Sequence, residues 1–77
     1  MNYEGFLEWL KTEKNMSERS ARDTVSRIKR ALRIVSGASV DTATLDKLNE
    51  APEFPKLSMF IKSQLRRAIA LYQEFVQ

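Results

Sequence analysis

Apolar side chains recur at three- and four-residue steps in four stretches of this chain and nowhere alternate strictly with polar ones, a pattern that directs the backbone to helices and away from strands. Tyr3, Phe6, Leu7 and Leu10 form the first stripe, and Ala21, Val25, Ile28, Leu32 and Val35 the second. Leu45 and Leu48 mark a short third segment, and Ile61, Leu65, Ala68, Ile69, Tyr72, Phe75 and Val76 the fourth. Helix-start and helix-stop residues separate them. Ser17 is an N-cap followed by Glu18 in the first turn, and Gly37 suits a C-terminal stop. Val40, Asp41 and Leu45 read as a hydrophobic staple around an Asp cap, prolines 52 and 55 make residues 51–55 a turn, and Ser58 caps the last segment. The expectation is one all-α domain over residues 1–77, with helices at about 3–14, 17–36, 41–50 and 58–76. Trp9 falls at the edge of the first stripe and is expected to pack there. Phe60 and Leu71 lie off the main stripe of the fourth helix, which predicts burial on a second side, against the first helix, or an apolar contact with a partner.

With 77 residues the chain buries only about 60% of its unfolded surface, and it has no Cys to supply a disulfide or a thiolate metal site, so apolar packing must hold it together. It also has no His, and without His and Cys the common proton shuttles and thiol nucleophiles are missing. We therefore expect no enzyme, no catalytic residue, no metal site and no cofactor. Acidic residues interrupt the N-terminal apolar run, so neither a signal peptide nor a membrane span is expected, and the chain reads as a cytoplasmic protein that is monomeric in isolation.

The net charge of +3 is unevenly distributed. Residues 17–36 carry six basic and two acidic side chains, and residues 56–67 carry four basic and no acidic ones, whereas residues 37–55 hold one Lys against four acids. At 100° per residue, Arg19, Arg22, Lys29, Arg30 and Arg33 fall between about 100° and 200° from Ile28, with Ser26 among them and Arg27 on the opposite flank. On the fourth helix Lys62, Ser63, Arg66 and Arg67 span about 60° to 200° from Leu65. Cations with a hydroxyl among them are suited to phosphate oxygens. A solvated face of an amphipathic helix also carries charge, but it ordinarily mixes both signs, and these stripes hold almost no acids.

The segment FLEWLKTEKNMSERSARDTVSRIKRAL, with its F-x-x-W-L ending to the first helix, short loop, Ser cap and long basic helix, resembles the start of the core-binding domain of tyrosine recombinases and phage integrases. The closing SQLRRAIALYQEF is similar to the last helix of that domain, so that only about residues 36–56 lack a counterpart. The resemblance implies a SAM-like orthogonal four-helix bundle that clasps duplex DNA through its second and fourth helices. It matches Ser17 to the capping Ser and Ser20 to a common Thr, and puts Arg22, Ser26, Arg30, Ser63 and Arg67 on the DNA side. Thr24 departs from it, standing where many members have Tyr. Recombinases of this family cut DNA in a separate, larger domain, which implies that these residues are either the N-terminal domain of a longer protein or a standalone binding module without the chemistry; the end at Gln77, inside the last helix, leads us to expect the former. The expected partner is therefore duplex DNA. The alternatives are a helical protein-interaction domain anchored by Trp9, Phe60 or Leu71, and the DNA-binding domain of another DNA enzyme such as a nuclease.

Overall fold

In the computed structural model, which describes residues 2–37 and 39–77, the chain is an all-α bundle of four helices: α1 (Tyr3–Glu13), α2 (Glu18–Val35), α3 (Thr44–Glu50) and α4 (Met59–Phe75). A single 3₁₀ turn, Phe54–Lys56, lies between α3 and α4. Side-chain caps set three of the starts. The Asn2 side chain accepts from the Gly5 N–H at 2.9 Å, Ser17 from the Ser20 N–H at 3.1 Å and Ser58 from the Ile61 N–H at 3.2 Å, each satisfying a donor that the first turn leaves unpaired. Gly5 leaves room for the Asn2 cap, because a Cβ there would collide with the Asn2 amide.

Two boundaries differ from the sequence expectation. Ser36, not Gly37, takes the left-handed conformation that ends α2, at φ 55°, and the Gly37 N–H donates back to the Leu32 carbonyl at 2.9 Å in the six-to-one bond of a Schellman ending. The third helix begins at Thr44, three residues after the expected Asp41. Asp41 closes a local turn instead: its carboxylate accepts from the Ala43 N–H at 2.8 Å and the Thr44 hydroxyl at 3.2 Å, and its own N–H donates to Thr44 Oγ1 at 2.8 Å. These bonds hold the Asp41 carboxyl below its ordinary value, the Ala43 N–H contributing most.

α2 is the centre of the packing and touches α1, α3 and α4. Its buried face, Ala21, Thr24, Ile28, Ala31 and Leu32, meets Leu65, Ala68, Ile69, Leu71 and Tyr72 of α4, with Phe6 and Leu10 of α1 and Leu48 of α3 completing one core. Val25 and Val35, both expected in the α2 stripe, are half-buried, Val25 beside the groove with α1 and Val35 at the C-terminal end of the helix, while Thr24 and Ala31 are buried. An aromatic cluster closes one end of the bundle. Phe6 and Tyr72 meet edge-on at 4.8 Å, Phe75 lies 5.5 Å from both, and Trp9 packs against Phe75 at 5.6 Å, as its stripe-edge position predicts.

Of the two residues off the α4 stripe, Leu71 is buried in the groove that α4 makes with α2, and Phe60 is 71% exposed. Val76 is a second correction, being 58% exposed, because α4 ends at Phe75 and leaves Val76 as its C-cap. Phe54, which the proline-rich turn gave no reason to place in the core, is buried at 2% exposure by the 3₁₀ turn.

Ile28 and Leu65 are fully enclosed, so Ile28→Ala and Leu65→Ala are each expected to lower the unfolding free energy by about 2–5 kcal/mol, read in urea through the fluorescence of Trp9. Unchanged urea midpoints would contradict these core assignments.

Candidate nucleic-acid interface

The expected basic residues of α2, Arg19, Arg22, Lys29, Arg30 and Arg33, are all exposed, as is Ser26. They lie outward because α1, α3 and α4 occupy the apolar side of the helix. The structure gathers Arg22, Ser26 and Lys29 along a groove whose other wall is Tyr3, Glu4 and Leu7 of α1. Lys29 and Arg33 share the adjoining shallow groove with Tyr3 and Ser36, and the Lys29 ammonium sits 5.0 Å from the centre of the Tyr3 ring.

On α4 the four expected residues do not form one surface. Lys62 and Arg66 turn toward α3 and the 3₁₀ turn, where their charges lie 5.9 Å and 5.0 Å from the centre of the Phe54 ring and Arg66 Nε donates to Asn49 Oδ1 at 3.1 Å. Ser63 is exposed on the outer face. Arg67 points the other way, into the groove between α2 and α4, a cleft of about 260 Å³ that it lines with Arg27, Asp23, Ser20 and Gln64 above Ala68 and Leu71. Arg27, set apart on the opposite flank by its angle on α2, is therefore the α2 residue that joins Arg67. The angle of one helix defines a face but not the neighbour that the face meets.

Among the described residues the ion pairs are Lys11–Glu8 at 3.1 Å, Lys11–Glu18 at 3.3 Å, Lys14–Glu74 at 2.7 Å and Arg22–Glu18 at 3.6 Å. Of the eight cations expected to bind phosphate, only Arg22 has a carboxylate within 4.0 Å; Arg19, Lys29, Arg30, Arg33, Lys62, Arg66 and Arg67 have none. The pairs instead engage Lys11 and Lys14 at the α1 end of the molecule. The Lys11 hydrogen bond, followed by the charges of Lys11 and Arg22, holds the Glu18 carboxyl below its ordinary value. No known family model, curated protein or solved structure matches this chain.

Because Glu18 stays ionised to lower pH in the folded state than in the unfolded one, its contribution to stability is present above the unfolded value and is lost as pH falls through the folded value. Wild type is expected to melt above Glu18→Gln at about pH 6, with the gap closing below about pH 4. A gap that does not vary with pH in thermal melts would contradict the Lys11–Glu18–Arg22 arrangement.

Proposed function

We propose that this chain is a duplex DNA-binding module of the kind that precedes the catalytic domain in tyrosine recombinases, itself carrying no catalytic group. The observation that supports this reading best is the set of seven cations without a carboxylate partner. Protein surfaces ordinarily intersperse both signs, and a polyanion supplies what these side chains lack. Arg19, Arg22, Lys29, Arg30 and Arg33 contact phosphates from α2, with Ser26 as a hydroxyl donor among them, and Arg67 and Ser63 contribute from α4. Lys62 and Arg66, turned toward α3 and the 3₁₀ turn, add long-range attraction from that side. Contacts of this kind give affinity and register with modest sequence preference. An all-α bundle of four helices is the fold class that the resemblance implies. Attachment to a different DNA enzyme would use the same phosphate contacts. No helix among the described residues is long and apolar enough to cross a membrane.

A second reading, a protein-interaction domain, is favoured by one observation: Met59 and Phe60 are 78% and 71% exposed side by side on α4.

The two readings separate in a salt titration of a labelled duplex followed by fluorescence anisotropy. DNA binding predicts that Arg30→Ala with Arg33→Ala weakens affinity and makes the log–log salt slope shallower by about 0.9 for each phosphate no longer neutralised. Lys11→Ala, which removes a cation already paired with Glu8 and Glu18, is expected to leave the slope unchanged. No wild-type binding at about 50 mM salt, or equal slopes for all three proteins, would overturn the proposal.

A further inference from the structure

The geometry points to a nucleotide-contacting site along the α2–α4 groove, in which Arg27 and Arg67 hold a DNA phosphate and the exposed ring of Phe60 packs against a base. This inference rests on the DNA-binding reading and adds to it a site that reads the nucleic acid by more than charge.

Two guanidinium groups line one groove from opposite helices, and neither has a carboxylate within 4.0 Å, although Asp23 lies on the same wall. Asp23 offsets part of their charge without pairing with either, and a phosphate accepts hydrogen bonds from guanidinium forks in a fixed geometry. Ser20 and Gln64 add neutral donors to the same cleft. The groove is open to solvent along one side and floored by Ala68 and Leu71, so a backbone phosphate can enter while the walls fix its position.

Phe60 stands on this side of α4. At 100° per residue it lies within about 40° of Gln64 and about 20° of Arg67, and it precedes Arg67 by about 10 Å along the helix axis, roughly three base steps at 3.4 Å each. The other six aromatic residues, Tyr3, Phe6, Trp9, Phe54, Tyr72 and Phe75, are buried or half-buried, so among the described residues Phe60 is the one exposed aromatic. Its surroundings select the occupant. Arg67 lies about 20° from the ring on the same face and Arg27 lines the same groove, so a partner seated here combines an apolar face with negative charge beside it. A nucleic-acid base between its phosphates has both properties, and apolar side chains such as Phe and Met contact bases either by stacking on an unpaired one or by wedging into a base step.

The test separates ring from charge. In anisotropy titrations on a duplex and on a single strand of equal length, Phe60→Ala is expected to weaken binding by about 5- to 150-fold at fixed salt on the nucleic acid whose bases the ring reaches, with the salt slope of wild type, because a phenyl ring neutralises no phosphate. Arg27→Ala with Arg67→Ala is expected to make that slope shallower by about 0.9 for each phosphate left without its cation. Weakening on the duplex identifies a wedge, and weakening on the single strand alone identifies stacking. Phe60→Ala binding both nucleic acids as wild type does would overturn the base contact while leaving the phosphate reading standing. No wild-type binding to either would overturn both. Sedimentation provides the competing outcome: a wild-type dimer that Phe60→Ala converts to a monomer would show that the ring is covered by a second copy of the chain and overturn the site. Because Phe60 is 71% exposed, the substitution is expected to leave the melting temperature unchanged, so a loss of binding is not a loss of fold.

Discussion

The packing of α2 against α4 is the contact on which the rest of the structure depends. Small side chains, Ala21, Thr24 and Ala31 on α2 and Ala68 on α4, are buried together with Ile28, Leu65 and Ile69. Thr24 occupies such a position without an unmet hydroxyl, because its Oγ1 donates to the Ser20 carbonyl at 2.9 Å. A domain of this size buries a modest share of its surface and has no disulfide, so it relies on this shared face, with α1 and α3 added at its edges.

That packing also decides where charge can go. With α1, α3 and α4 arranged about its apolar side, α2 has only its outer face left for water, and this face carries Arg19, Arg22, Lys29, Arg30 and Arg33. Four acids are used elsewhere, since Glu8 and Glu18 bind Lys11, Glu74 binds Lys14 and Asp41 closes its own turn, while Asp23 and Glu4 line the grooves beside α2. Lys62 and Arg66 fold back over the Phe54 ring. What remains is an outer face of α2 on which only Arg22 meets a carboxylate, and a groove beside α4 whose arginines meet none, and this imbalance supports the proposed affinity for a polyanion.

Most of the fold was legible because it is written in local signals. Periodicity and the Ser17 and Ser58 caps located α1, α2 and α4 to within about one residue, since a cap hydroxyl bonds to an N–H only three residues away. Asp41 misled because an Asp side chain closes a turn as readily as it caps a helix, and Thr44 supplied the partner that favoured the turn. Phe54 was invisible, since a single buried ring in a 3₁₀ turn has no period to betray it. For the site, exposure was readable and company was not. Helix angles correctly put the α2 cations outward, but the sharing of one groove by Arg67 and Arg27, and the turning of Lys62 and Arg66 toward Phe54, follow from which helices are neighbours.

The central claim is that the outer face of α2 and the α2–α4 groove bind nucleic acid, and the most direct test is to follow the backbone amide resonances of the chain as unlabelled duplex is added. The account predicts that shifts concentrate on Arg22, Ser26, Arg30, Arg27 and Arg67 and their neighbours, while the acidic stretch from Asp41 to Glu53 stays unchanged. Shifts centred on that acidic stretch, or none at any duplex concentration, would contradict it.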